Sequence, residues 1–360
     1  MRACGALLLF LAAEDVASAQ QIALSAAQQT MLRGLVARDK EAARQFSKIR
    51  AGADEALAAS PNPVAVIESE GRLKSDPGKI STAKSLGDMR KVETLGWAFA
   101  VTGKAPFGEK TKEFVLAWAR TNEPRGDPIN ETKLEPLLMG YDLTQSVFSP
   151  AEKGEVNAWL RKIATALIDH QKKKGAATSF NNWHSHRLKM LGLCGWLLGD
   201  PALIARAVSG YREQISKNLL PDGSSFDFHE RDALHYHCYD LEPLLTLATA
   251  ARVQGIDLYH EAGGNGATLG KAVEFLVPYC EGSQIHAEYV NSKVAFDRKR
   301  AEAGQGEFAI GHAFDPREGI PVLELAASFD EKFAVVLARM KGRKTAHGSS
   351  WAMVIGEARR

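Results

Sequence analysis

Five of the ten histidines, His184, His186, His229, His235 and His237, fall within one stretch of 54 residues, together with Arg187, Arg231, Tyr236 and Tyr239. Asn, His, Arg and Tyr gathered in this way suit removal of a proton next to a carboxylate. Donors and cations spread the negative charge that builds up as the proton leaves. A tyrosine whose pKa a nearby cation draws down from about 10 can take that proton and return one to a leaving oxygen. A hydrolytic glycosidase would instead need two carboxylic acids on opposite sides of the bond. Asp227, Glu230, Asp232 and Asp240 are present, but they are interspersed with His, Tyr and Arg, a mixture that favours elimination. His184-x-His186 and His235-x-His237-Cys238 also supply metal-ligand types. On a helix, residues two apart point in different directions, unlike the convergent spacings of zinc motifs, so no metal or other cofactor is expected.

These residues form two blocks, and each needs an element to present it. Asn181-Asn182-Trp183-His184-Ser185-His186-Arg187 sits where two Asn precede an apolar-periodic run through Leu188, Leu191 and Leu198, the pattern of a helix start. A helix N-terminus offers free N–H groups and a favourable dipole to an anion, so a carboxylate is expected to dock there. In the second block Arg231, His235 and Tyr239 are spaced four apart, which predicts one helix edge lining a cavity. Leu234, Cys238, Leu241 and Leu245 form the adjoining core stripe.

The surrounding chain reads as helical. Residues 22 to 57 are rich in helix formers and fit two helices or one long one. Ser149-Pro150-Ala151-Glu152 carries a capping box with Pro at the first helical position. Apolar spacings of helical period recur at 92–101, 114–119, 188–198, 241–251 and 272–279, separated by turn signals such as Gly199-Asp200-Pro201. Strand-like alternation is scarce, which predicts an all-α chain of helical hairpins curled into an α/α toroid, an incomplete α/α barrel. Residues 68–88 and 282–306 read as long loops of the kind that act as lids or binding segments. Met1-Arg2, the apolar run 3–13 and Val16-Ala17-Ser18-Ala19 have the parts of a secretory signal cleaved after Ala19. The expectation is a signal peptide over 1–19, a single toroid domain over 20–360, a secreted or periplasmic location and no membrane span after cleavage. A formal charge of +2 with scattered basic residues argues against a nucleic-acid partner. The odd set Cys194, Cys238 and Cys280 allows at most one disulfide.

Asn181-Asn182-Trp183-His184-Ser185 resembles the Asn-Asn-His-Ser block of α/α-toroid alginate lyases, and 233–239 (ALHYHCY) resembles their Ala-Leu-x-Tyr-His-x-Tyr block. Residues 130–135 (NETKLE) and 140–143 (GYDL) are similar to segments of the same superfamily, and the likeness runs loosely over about 60–330. The resemblance implies a lyase that cleaves an acidic polysaccharide of 1,4-linked uronates by β-elimination. Tyr239 would be base and acid, His184 its assistant, and Asn182 with Arg231 would neutralise the substrate carboxylate. This chain departs from the pattern in two places. Trp183 is inserted before His184, and Arg231 stands one residue further from Tyr239, which leaves Asn181 and Asn182 as alternatives. His235, Tyr236 and His237 are further expected substrate contacts. Trp183 and Tyr141 are candidates for stacking on sugar rings, and Lys79 and Lys84 for holding neighbouring carboxylates. Alginate and glucuronan both fit the chemistry, because mannuronate and glucuronate agree at C4 and C5 and differ at C2.

Overall fold

Ser25 opens α1 (Ala26–Arg38) with a reciprocal capping box to Gln28. Asp39 ends that helix by donating its N–H to Leu35 O, and its carboxylate accepts from Ala42 N to start α2 (Lys40–Ala56). The residue that caps both ends therefore divides the helix-rich opening in two. The structure is a computed structural model that describes residues 20–174, 178–342 and 347–360; the expected signal peptide lies outside them.

The order continues with α3 (Pro77–Ser85), α4 (Gly87–Thr102), α5 (Ala105–Thr121), α6 (Pro128–Glu131), α7 (Glu135–Thr144), α8 (Pro150–Lys174) and α9 (Asn182–Leu198). Then come α10 (Pro201–Lys217), α11 (Phe226–Arg231), α12 (Leu234–Val253), α13 (Leu269–Cys280), α14 (Ala295–Glu302), α15 (Ile320–Ala326), α16 (Lys332–Met340) and α17 (Trp351–Arg359). Among the described residues the only β pairings are isolated bridges such as Leu219 with Ser225. The capping box predicted before α8 is present: Ser149 N donates to Glu152 Oε2 at 2.7 Å, and Glu152 N to Ser149 Oγ at 3.3 Å.

Packing sorts the helices into two layers. α4, α7, α9, α12, α15 and α17 each neighbour the next. α17 then meets α1 and α2, and α2 packs on α4, which closes the ring. Outside this inner layer α5 packs on α7, α8 and α10 on α9, and α13 and α16 on α15. The result is an α/α toroid. One apolar cluster runs through it from Ile22 to Met353. An inner helix is enclosed on every side, so α9 has sixteen of its seventeen residues buried, where a surface helix would bury only a stripe.

The inner helices share a direction, and this decides where chemistry can sit. Their C-terminal ends are covered by the segment 20–24. Gln20 N donates to Trp196 O at the end of α9, and Ile22 N and Ala23 N donate to Asp142 Oδ2 in α7 at 3.0 and 2.9 Å. The opposite end of the ring carries the starts of α7, α9 and α12, and both sequence blocks with them. Two stretches that read as loops contain helices. Asp76 caps α3 with Pro77 at its first position, and α14 lies inside 282–306. Both are short, of nine and eight residues, too short for apolar periodicity to show.

Candidate active site

Tyr239 lies one turn and a half into α12, half-buried, with its ring against that of His186 from α9 at a centroid distance of 4.4 Å. His186 is 4% exposed. Thr132 Oγ1, in the turn after α6, is 2.9 Å from its Nδ1, and among the described residues its buried Nε2 has no close hydrogen-bond partner. Burial, reinforced by the charges of Lys189 and Lys133, holds the imidazole pKa well below its ordinary value, so the ring is neutral. Burial also pushes the Tyr239 phenol upward. His235 lies parallel to Tyr239 at 6.3 Å on the other side, fixed by a 2.7 Å contact from its Nδ1 to Glu318 Oε2.

The helix expected to carry Arg231, His235 and Tyr239 together is broken. α11 ends at Arg231, Asp232 takes a left-handed conformation at φ 49°, and Ala233 is extended before α12 begins. An exposed turn would favour glycine there; here long-range contacts hold Asp232. Its carbonyl accepts from Tyr289 N at 2.7 Å, and its Oδ2 accepts from Asn291 N and Nδ2 at 2.8 and 3.0 Å. Ala233 has no side chain to cap α12, so Glu288 does: Leu234 N and His235 N donate to its two carboxylate oxygens at 2.8 and 3.1 Å.

Arg231 still reaches the site from its own helix. Its guanidinium lies 4.0 Å from the centre of the Tyr236 ring, and its Nη1 pairs with Asp297 at 2.6 Å. Arg300 of α14 donates to Tyr236 Oη at 2.8 Å and stands 3.7 Å from the same Asp297. Asp297, 1% exposed, thus holds two arginines at once. Asp297→Ala is expected to cost about 3 kcal/mol of stability, the order seen when a buried ion pair loses one partner, read as a lower urea midpoint. Asp297→Asn, which keeps the hydrogen bonds, should cost less.

The facing wall comes from residues 68–79 and 130–133. Asn130 Oδ1 accepts from Ser69 N, Ser69 Oγ and Glu70 N at 3.1, 2.9 and 2.9 Å. Lys133 is half-buried, and burial together with Lys79 draws its ammonium below the usual lysine range. Lys79, whose Nζ donates to Arg72 O at 3.1 Å, is also lowered, by burial first and then by Arg300. Lys74 pairs with Glu307 at 2.5 Å, so the first expected lid segment meets the residue just past the end of the second.

Several expected site residues stand elsewhere. His184 is turned to Arg187, whose Nη1 lies 3.1 Å from its Nδ1, and burial beside that guanidinium pushes it down to about 3. Asn182 is 1% exposed, and its amide donates to the buried Asp227. Asn181 spends its side-chain oxygen on Trp183 N as the cap of α9. Trp183 stacks on His170 of α8. His237 is fully buried between Ser225 Oγ and Ala272 O. Tyr141 is a core ring set edge-on to Phe148, and Lys84 is exposed at the end of α3. The site therefore gathers Tyr239, His235, Tyr236, Arg231 and Lys79 from the expected set. It adds His186, one turn after Asn182, Thr132 and Lys133 from the 130–135 segment, and Glu70 and Arg300 from the two stretches read as binding loops. Among the described residues no helix is long and apolar enough to cross a membrane, and no cluster of His, Cys, Asp and Glu suits a metal ion.

A helical toroid with a Tyr–His pair, and two arginines on the neighbouring tyrosine, is the arrangement of a polysaccharide lyase fold. The alginate lyase family model matches residues 23–286, and the chain belongs to that family. A crystal structure of an alginate lyase from Bacteroides ovatus is similar to it with a TM-score of 0.68 and 17% identity, covering 94% of this chain and 99% of that one. Alginate lyase A1-III from Sphingomonas species A1 gives a TM-score of 0.59 at 21% identity, covering 83% and 95%. A curated polysaccharide lyase of Stenotrophomonas maltophilia is 28% identical over 145 residues, which span 39% of this chain and 42% of that protein.

Proposed function

We propose that this protein cleaves 1,4-linked hexuronate polymers by β-elimination, with mannuronate-rich alginate as its main substrate. The observation that carries this reading is Tyr239 packed on a neutral His186 and edge-on to Tyr236, which Arg231 and Arg300 both contact, with Lys79 and Lys133 in the adjoining segments. Polyanion recognition needs such cations, and proton transfer at C5 needs a phenol; contrary to the lowering expected from a nearby cation, burial and then the Glu70 charge hold the Tyr239 phenol above its usual range. The structural neighbour A1-III holds a tetrasaccharide in a histidine-to-alanine variant and in a tyrosine-to-phenylalanine variant, which supports a His–Tyr pair at the sugar.

In this reading the Tyr239 phenolate removes the C5 proton, the C4–O4 bond breaks, and the phenol returns its proton to O4, leaving a 4,5 double bond. The cations Arg231, Arg300, Lys79 and Lys133 take up the charge on the substrate carboxylate. His186, neutral and with Nε2 unspent, donates or accepts a hydrogen bond without adding charge. Tyr239 is protonated in the empty protein because burial disfavours the phenolate, so the competent form grows as pH rises. kcat/KM is expected to climb toward the alkaline side. With residues 1–19 as an export signal, we place the reaction outside the cytoplasm.

The test is ultraviolet absorbance of the 4,5-unsaturated uronate during incubation with polymannuronate, polyguluronate or glucuronan. A rise with polymannuronate supports the proposal. A rise with glucuronan alone keeps the chemistry and changes the substrate, and no rise with any of them leaves only a binding role.

A further inference from the structure

The Thr132 hydroxyl makes one hydrogen bond among the described residues, and its partner is the imidazole packed on Tyr239: Oγ1 lies 2.9 Å from His186 Nδ1. Threonines inside the helices spend the hydroxyl proton on the preceding turn, as Thr111 does on Phe107 O at 2.8 Å and Thr144 on Gly140 O at 2.6 Å. Thr132 makes no such bond, so its proton is free for the ring. The backbone that carries it is tied down on both sides. Asp127 caps α6, its Oδ1 accepting from Ile129 N and Asn130 N at 2.9 and 3.2 Å. Glu131, 2% exposed, accepts from Arg125 N and Gly126 N at 2.7 and 3.0 Å through Oε1, and Leu134 is fully buried. These ties fix where the Thr132 hydroxyl stands.

A neutral imidazole carries one proton, and the hydrogen bonds at its two nitrogens decide which of them holds it. With the proton on Nδ1, that nitrogen would donate to Thr132 Oγ1, and the hydroxyl proton would face no protein acceptor. With the proton on Nε2, the hydroxyl donates to Nδ1 and its hydrogen bond is made. The surroundings of Nε2 favour the same choice. Burial lowers the imidazole pKa most, but the backbone carbonyl of Tyr239 draws it upward, as a carbonyl facing a ring N–H does and as one facing a lone pair cannot. Since the Nδ1 edge is turned to Thr132, Nε2 belongs to the edge on the α12 side, where the Tyr239 ring lies. Negative charge grows there when the phenol ionises. An N–H dipole relieves that charge, and a lone pair repels it. We propose that Thr132 is a positioning residue whose hydroxyl donates to Nδ1 and so holds His186 as the neutral Nε2–H tautomer, with a hydrogen-bond donor on the side of Tyr239. Its place in the reaction rests on the polyuronate lyase reading above; the tautomer itself exists without substrate.

The test compares wild type, Thr132→Val and Thr132→Ser by two-bond proton–nitrogen correlation spectra of the histidine rings, with His186 assigned as the signals missing from His186→Gln, and by initial rates on polymannuronate across pH. Wild-type His186 is expected to show a protonated Nε2 and a bare Nδ1. Thr132→Val keeps the shape and loses the hydroxyl, so the Nδ1–H tautomer should become populated. Its kcat should fall roughly tenfold, the order of one lost hydrogen bond, with KM within about twofold of wild type. The alkaline rise of kcat/KM should move to higher pH. Thr132→Ser should restore both the spectrum and most of the rate. A wild-type ring protonated on Nδ1 overturns the proposal, and that spectrum decides the tautomer even where Thr132→Val fails to fold. An unchanged tautomer in Thr132→Val, or a serine variant no faster than the valine one, assigns Thr132 to packing and overturns it too. A wild type that cleaves while its ring holds the other tautomer sinks this inference alone. One that shows the expected tautomer yet cleaves no polyuronate sinks the lyase reading and leaves the hydrogen bond standing.

Discussion

Tyr239→Phe is expected to lower turnover of the preferred polyuronate about 10³-fold, within the range for losing a positioned acid–base group, while oligosaccharide affinity changes less than about twofold. The substitution removes one oxygen and keeps the ring, so the packing on His186 at 4.4 Å and on His235 at 6.3 Å survives. Only the group that exchanges protons with C5 and O4 is lost. Rates of the unsaturated product together with calorimetric binding separate the two quantities. Near-normal turnover would remove Tyr239 from the chemistry, and a parallel collapse of binding would assign it to recognition instead. The alkaline rise of kcat/KM should vanish in the same variant if phenol ionisation causes it.

The fold was legible where local chemistry and tertiary structure agree. Ser149 and Asn181 cap helices with their own side chains, so their boundaries follow from residue type. The class followed from helical spacing with no competing alternation. What could not be read depends on contacts distant in the chain. Asp232 breaks the helix between Arg231 and His235 because Tyr289 and Asn291 hold its backbone and carboxylate, and nothing local such as a glycine announces the turn. Arg300 and Asp297 enter the site from a stretch without apolar periodicity, 66 residues beyond Arg231 in the case of Asp297. His237 and Tyr141 carry residue types suited to a sugar site but face inward. His237 spends both nitrogens on Ser225 and Ala272, and Tyr141 packs on Phe148.

The largest difference concerns which histidine packs on Tyr239, and it is a matter of helix phase. With 3.6 residues per turn, Asn182, His186 and Lys189 share a face of α9, whereas His184 shares one with Arg187. The face with His186 is turned to α12 and α7, where His186 meets Tyr239 and Lys189 pairs with Glu135. On the face with His184, Arg187 bonds both that ring and Thr178 O. Motif matching favours His184 because Ser185 follows it, and Trp183 is the inserted residue that shifts the register. His186→Ala is therefore expected to reduce kcat about 10²-fold or more, with His186→Gln recovering part of it through one hydrogen-bonding group. His184→Ala should leave kcat within about threefold and cost about 1–2 kcal/mol of stability, since the buried Arg187 loses a partner. Rates with polymannuronate and urea midpoints of the three variants decide the matter. If His184→Ala proves the catalytic lesion while His186→Ala turns over normally, α9 must rotate when substrate binds, and the register implied by the motif would describe the working enzyme.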